Sequence, residues 1–186
     1  AQLLEETYAR DRFIKVSRNA RLLYVDEKGE SLRIWYSAAM DISEDTLWHP
    51  KRLYQTVVDN AGYPPPNSHM GAGSEAFIVD CMGANWDMTM QWNADALLAL
   101  IKEENYNMVF SQVHNVDAQG HMILKYMKQR DYSRLPEEDY QRFFKEVYKQ
   151  TDRYFGKLIH ALDEGWTIII TSDHGLVCTE YDDTAL

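Results

Sequence analysis

Two short segments of the chain combine aspartate and histidine residues at close spacing. The first reads His-Asn-Val-Asp-Ala-Gln-Gly-His and contains His114, Asp117 and His121, whereas the second reads Ser-Asp-His-Gly and contains Asp173 and His174. Carboxylate oxygens and imidazole nitrogens are ligands that Zn²⁺ and Mn²⁺ take in proteins. Each segment follows a run of strand-forming residues, so the pattern predicts divalent metal binding where strands end.

The spacing within each segment restricts how its residues can reach one ion. Asp117 and His121 are four residues apart, and they share a face one turn apart if a helix starts there. Asp173 and His174 are adjacent and would point apart in a regular strand, so they can meet one metal only if the backbone turns. We expect Gly175 to make such a turn at little cost.

A parallel βαβ arrangement would bring the two segments together. Residues 107–113 and 166–171 are runs of strand-forming residues, and the second has the continuous apolar pattern of a parallel strand buried on both faces. Helices are predicted between them, from the first segment to about Gln129 and again from Pro136 to Gly165. Because parallel strands end at one edge of a sheet, both segments should line the crevice there. Loops leaving nearby strands could hold two ions about 3.5–4 Å apart, which is the separation that clamps a phosphoryl group.

The helix that follows Pro136 has the clearest pattern in the chain. Three acidic residues at 137–139 favour its N-terminus through the helix dipole. Its apolar residues repeat at helical spacing, and they predict a face that packs in the core rather than a cofactor-binding face. These residues are Tyr140, Phe143, Phe144, Val147, Tyr148, Thr151, Tyr154, Phe155, Leu158, Ile159 and Leu162.

Local patterns predict the other elements. Residues 20–26 and 31–37 should form a β-hairpin, and Gly29 can supply the positive φ of its turn. Helices are predicted at residues 51–60 and 92–104. The fold class that follows is α/β, with a mostly parallel sheet sandwiched by helices and the β-hairpin as an appendage.

The domain organisation is predicted from the same reading. Residues 1–66 are interpreted as a hairpin-bearing region on the substrate side, and residues 67–186 as the α/β core that carries the site. Residues 2–16 fit either an amphipathic helix or an extended connection. The sequence starts without Met and stops soon after the second segment, so we expect it to be part of a larger protein.

The charge balance excludes one class of partner. The 186 residues contain 19 Lys and Arg against 29 Asp and Glu, which gives a net charge of −10. A nucleic-acid duplex is therefore not the expected partner, because phosphate contacts require clustered cations. No apolar run approaches the roughly 20 residues of a membrane span, and no signal-peptide pattern occurs, so a soluble segment is expected. The compartment and the oligomeric state are not indicated.

The two cysteines, Cys81 and Cys178, are far apart and do not have metal-binding or redox spacing. Free buried thiols are therefore expected, and a single disulfide is the alternative.

In this order, the two segments resemble the metal-site segments of the alkaline phosphatase superfamily, particularly those of its type I phosphodiesterase/nucleotide pyrophosphatase branch. Residues 20–39 and the Trp-Asn-Ala-Asp-Ala sequence at residues 92–96 are similar to the same branch. The resemblance implies part of an alkaline-phosphatase-like core and two divalent metal ions, zinc or alternatively manganese. It further implies a metal-dependent phosphoesterase whose substrate is a small phosphate ester.

The resemblance also assigns roles to the residues of the two segments. Asp117 and His121 correspond to ligands of one ion, and Asp173 and His174 correspond to ligands of the other. His114 matches a position that is often His, where it could support a ligand without binding the ion itself.

The chain departs from the superfamily pattern in three places. That pattern includes an upstream Asp ligand, a Ser or Thr nucleophile at a helix start and a further downstream His, and no residue here matches them. The segment by itself is therefore expected to be inactive. Other superfamily activities stay open as alternatives, namely those of a phosphoglycerate mutase-like enzyme, a phosphotransferase or a sulfatase. So does a non-catalytic α/β module with a partial metal site.

Overall fold

The computed structural model describes residues 2–10, 12–42, 48–66, 81–130 and 135–175. Their contacts group into two compact units, Ala1–Ser111 and Gln112–Leu186. The domain boundary predicted between residues 66 and 67 lies within the first unit, next to a stretch outside the described residues. That boundary stays a prediction.

The first unit contains an antiparallel sheet. Its strands are β1 (Gln2–Arg10), β2 (Arg12–Val25), β3 (Leu32–Tyr36) and β4 (Met40–Asp41). β2 is the central strand, because β1, β3 and β4 all pair with it. β2 and β3 form the predicted hairpin, in which Leu22 lies opposite Ile34. Gly29 has a φ of +72° in its turn, as expected. Of the two conformations that fit residues 2–16, the described residues 2–10 and 12–16 have the extended one.

Helices make up most of the remaining described residues. They are α1 (Arg52–Ala61), α2 (Gly83–Glu103), α3 (Asn115–Gln129), α4 (Glu137–Leu158) and a 3₁₀ helix that continues α4, Ile159–Glu164. The helix predicted at residues 51–60 is confirmed, but α2 begins well before residue 92. Its first turns contain buried polar residues, Asn85 and Thr89, and the Thr89 hydroxyl donates to the Asn85 carbonyl. Such residues conceal the apolar periodicity from which helices are predicted.

The two segments predicted as parallel strands form no strand in the structure. Residues 107–113 and 166–171 have no strand pairing, and a strand is stabilised only by hydrogen bonds to a neighbouring strand. Their apolar side chains are correspondingly exposed, Phe110 by 83% and Ile169 by 84%. The described residues contain both helices and a sheet, which confirms the mixed α/β class. Their sheet is antiparallel, and the predicted parallel βαβ pairing is not observed among them.

In the second unit, α4 packs against α3. The buried apolar residues of α4 follow the predicted helical stripe and are Tyr140, Phe143, Val147, Tyr154 and Leu158. Three residues predicted on the same face, Tyr148, Ile159 and Leu162, are exposed. After Leu158 the chain changes to a 3₁₀ helix, which has about three residues per turn, so the stripe does not continue to Ile159 and Leu162. Gly165 then ends the helical region in the left-handed conformation, with a φ of +89°.

The sequence also led to predictions about membrane spans and about the two cysteines. Among the residues that the structure describes, none of the helices has both the length and the apolarity that a membrane span requires. Cys81 is a buried thiol, and Cys178 lies outside the described residues.

Candidate functional site

Helix α3 positions the first pair of candidate ligands as their spacing predicts. The helix begins at Asn115, and the His114 carbonyl accepts a hydrogen bond from Ala118 N at 2.9 Å. Asp117 is therefore in the first turn, where the helix dipole stabilises a carboxylate. His121 follows one turn later, and its Nε2 lies 3.0 Å from Asp117 Oδ1.

The second pair is held by a turn. The Ser172 hydroxyl donates to the His174 carbonyl, and the backbone N–H of His174 donates to Asp173 Oδ1 at 3.1 Å. As a result, His174 Nε2 lies 3.7 Å from Asp173 Oδ2 although the two residues are adjacent. The expected turn is therefore present, but its cause differs from the predicted one. Gly175 does not have a positive φ, and a Cβ at this position would meet no atom within 4 Å.

The structure brings the two pairs together. His174 Nε2 is 3.8 Å from Asp117 Oδ1, so this nitrogen lies near one carboxylate from each segment. The ring centroids of His121 and His174 are 6.5 Å apart. The four residues that sequence reasoning selected as ligands thus form one cluster on the second unit.

The electrostatics of the cluster favour a protonated imidazole at His174. The pKa of His174 is raised above its ordinary value of 6.5, chiefly because the Gly175 carbonyl accepts from the ring. The negative charges of Asp173 and then of Asp117 raise this pKa further, whereas desolvation acts in the opposite direction. The site therefore already attracts positive charge.

The donor set fits divalent metal ions in its chemistry. Zinc–ligand distances of about 2.0–2.1 Å place two ligands of one tetrahedral ion about 3.3–3.4 Å apart. The separations within the pairs, 3.0 Å for Asp117 and His121 and 3.7 Å for Asp173 and His174, lie on either side of that value. In the described part of the chain, no group of three or more His, Cys, Asp or Glu residues is arranged to hold one ion. The geometry thus offers pairs of candidate ligands rather than a complete set.

One sequence-selected residue lies apart from this cluster, and one functional residue was missed. The His114 side chain is exposed, and the contact that the structure shows for this residue is made by its backbone. Ser172 received no role from the sequence, although its hydroxyl closes the turn that aligns Asp173 with His174. Its residue type could have indicated this role, because Ser hydroxyls commonly close local turns.

Comparison with known families gives an independent result. The family model described as type I phosphodiesterase / nucleotide pyrophosphatase matches residues 18–186, so the class of protein is that of the phosphoesterases. The chain belongs to the type I phosphodiesterase/nucleotide pyrophosphatase family. Searches of the curated proteins and of the solved structures found no match. The family resemblance noted from the two Asp/His segments is therefore confirmed.

Proposed function

We propose that this chain provides metal ligands of a phosphoesterase that hydrolyses small phosphate esters at a two-metal site. Asp117 and His121 would bind one divalent ion, and Asp173 and His174 would bind the other, with zinc favoured over manganese. The observation that carries the proposal is the position of His174 Nε2, which is 3.8 Å from Asp117 Oδ1 and 3.7 Å from Asp173 Oδ2. Candidate ligands from two distant parts of the sequence thus lie close together, in a chain that belongs to a phosphodiesterase family.

The residues of the chain have separable tasks in this proposal. Bound divalent ions would neutralise the charge that develops on a phosphoryl group during its transfer. Asp117 and Asp173 contribute negative charge, which retains cations, and the Ser172 turn holds His174 beside them. No residue of the chain matches the Ser or Thr nucleophile of the superfamily pattern. The proposal therefore assigns metal binding, and not covalent catalysis, to these residues.

The proposal includes the parallel sheet of the superfamily fold. Residues 107–113 and 166–171 would each contribute one strand, with neighbouring strands hydrogen-bonded to their backbones and helices on the sheet faces covering the side chains that are now exposed. Phe110 and Ile169, each more than four-fifths exposed, support this assignment because apolar side chains of a parallel strand are normally buried on both faces.

Metal binding can be tested directly on the 186-residue chain by calorimetric titration with zinc. We expect two bound ions for the unmodified chain and the loss of one in each of the variants Asp117→Ala and Asp173→Ala. The matched control is His160→Ala, which removes an exposed imidazole from the 3₁₀ helix outside the cluster. Equal binding by all four proteins would contradict the proposal.

Turnover is tested in the protein that carries the nucleophile. Zinc-dependent hydrolysis of p-nitrophenyl phosphate esters, with no hydrolysis of p-nitrophenyl sulfate, is the expected result. Activity that a chelator does not reduce would contradict the mechanism. Zinc binding without any turnover would instead support the non-catalytic module, and sulfate hydrolysis would support a sulfatase.

A further inference from the structure

Helix α3 carries a second pair of residues at the same spacing as Asp117 and His121. Asn115 and Gln119 are also four residues apart, and they are 1% and 0% exposed. Two positions along an α-helix correspond to a rotation of about 200°, so this pair lies on the side opposite the candidate ligands. The buried side of α3 therefore carries this polar pair, and the other side carries Asp117 and His121.

The buried pair joins α3 to α4 through directed hydrogen bonds. Asn115 Nδ2 donates to the Val147 carbonyl at 3.2 Å and to Thr151 Oγ1 at 2.9 Å. Gln119 Nε2 donates to Gln150 Oε1 at 2.8 Å and to the Asn115 carbonyl at 3.1 Å. All four amide hydrogens of the pair are used, and three of these bonds cross between the helices. We call Asn115, Gln119, Gln150 and Thr151 the amide network.

The amide network is poorly explained by a contribution to stability. Asn115 Oδ1 and Gln119 Oε1 are buried and have no hydrogen-bond partner among the described residues. A buried acceptor without a partner costs free energy, and that cost offsets what the bonds of the amide nitrogens contribute. Apolar side chains of similar volume would bury the same surface without this cost. Unlike apolar side chains, the amides form hydrogen bonds that depend on the orientation of the two helices.

Direction matters because the candidate ligands project from the opposite side of the same helix. An α-helix with its side chains has a radius of about 5–6 Å, so a roll of about 20° moves an outer side chain by about 2 Å. That displacement equals a whole zinc–ligand bond, which is about 2 Å long. Apolar contacts have no preferred direction and resist such a roll weakly, whereas hydrogen bonds weaken steeply when they are misaligned.

We propose that the amide network positions Asp117 and His121 by fixing the rotation of α3 against α4. Its members are positioning residues, and none of them touches an ion or the substrate. The effect on zinc affinity rests on the proposed function, but the placement of His121 beside His174 does not. The positioning proposal and the proposed function can therefore fail separately.

The test compares the double variant Gln119→Leu/Gln150→Leu with the matched control Ile123→Val in the full chain. The double variant replaces both partners of one inter-helix bond by apolar side chains of similar volume. Ile123 is 2% exposed and lies one turn beyond Gln119, so its substitution loosens packing on α3 and leaves the amide network intact. Three quantities are measured: the urea midpoint, the nuclear Overhauser effect between the His121 and His174 rings without metal, and the zinc affinity.

We expect the two variants to show opposite patterns. The double variant should keep or raise the urea midpoint, lose the Overhauser effect and bind zinc at least tenfold more weakly at Asp117 and His121. Ile123→Val should lower the midpoint and retain both the Overhauser effect and the zinc affinity. Thr151→Val preserves side-chain shape and removes one acceptor of Asn115, so it should weaken the Overhauser effect even if the double variant does not fold.

Retention of the Overhauser effect in the folded double variant, or in Thr151→Val, would overturn the positioning proposal. Zinc affinities that simply follow the urea midpoints across these variants would also overturn it, since they would indicate a structural role alone. A chain that binds no zinc would refute the proposed function, and the Overhauser measurements would still decide the role of the amide network.

Discussion

The two halves of the candidate site are built in different ways. Asp117 and His121 belong to a helix that is packed and hydrogen-bonded against α4, and their side chains are 39% and 32% exposed. Asp173 and His174 belong to a short turn that follows the 3₁₀ helix, and their side chains are 71% and 55% exposed. The first half is held by tertiary structure, whereas the second is held by hydrogen bonds among residues 172–175.

This difference indicates which pair of candidate ligands gains more order when an ion binds. The amide network and the packing against α4 hold the backbone of α3, so Asp117 and His121 project from a rigid element. An exposed turn is fixed by a few bonds of modest net strength. We therefore infer that Asp173 and His174 gain more order from a bound ion than Asp117 and His121 do.

The largest expected effect is that of removing a candidate carboxylate ligand. Under the proposed function, Asp117→Ala and Asp173→Ala should each lower the kcat/KM for phosphate-ester hydrolysis by about 10³-fold or more, because a metal ion supplies several kcal/mol of charge stabilisation in the transition state. Steady-state kinetics at saturating zinc measure this loss. A reduction of less than tenfold in either variant would show that its half of the cluster is not part of the catalytic site.

A smaller effect tests the packing that holds the first half. Phe143 is 7% exposed on the buried face of α4, so Phe143→Ala should lower the free energy of unfolding by about 3–5 kcal/mol. Ile159→Ala is the control at an apolar residue that is 55% exposed, and it should change that free energy by about 0.5 kcal/mol or less. Urea denaturation measures both. Equal losses would mean that Ile159 is packed in solution.

Sequence patterns predicted those features that depend on nearby residues. The helical stripe from Tyr140 to Leu158, the hairpin turn at Gly29 and the shared face of Asp117 and His121 all follow from spacing along the chain. In each case the information is contained within a few helical turns or one hairpin.

Features that depend on distant partners were not predicted. Residues 166–171 have strand-like composition, but a strand forms only beside another strand, and none of the described residues provides one. Gln150 lies between the buried residues Val147 and Tyr154 on the helical stripe of α4, so spacing places it on the packed face. Its hydrogen-bond partner Gln119 of α3 is 31 residues away in the sequence. Neither partner can be identified from local spacing.

Removing one hydroxyl group should weaken the turn that holds Asp173 and His174. Ser172→Ala removes the hydroxyl that donates to the His174 carbonyl, and one such bond contributes about 1 kcal/mol. We expect about a fivefold loss of zinc affinity at Asp173 and His174, with the Asp117–His121 site unchanged. Ser172→Thr retains the hydroxyl and should bind like the unmodified chain. The comparison is made by calorimetry, and identical isotherms for the Ala and Thr variants would refute a role for the hydroxyl.

The smallest effect concerns the titration of His174. In the metal-free chain its pKa should lie above 6.5, because the Gly175 carbonyl, Asp173 and Asp117 all favour the protonated ring. Asp173→Asn should lower this pKa more than Asp117→Asn, following the order of the two charges. Since zinc binds the neutral ring, zinc affinity should fall as the pH drops through this raised pKa. Nuclear magnetic resonance titration measures the values, and a His174 pKa at or below 6.5 would contradict the assigned contacts.

The central claim is that the two segments bind two divalent ions side by side. A crystal structure of the zinc-loaded chain, with anomalous data collected on both sides of the zinc edge, tests it most directly. The account predicts two zinc peaks, one coordinated by Asp117 and His121 and the other by Asp173 and His174. Zinc bound only elsewhere on the chain, or a single ion that leaves one of these pairs without a metal, would contradict it.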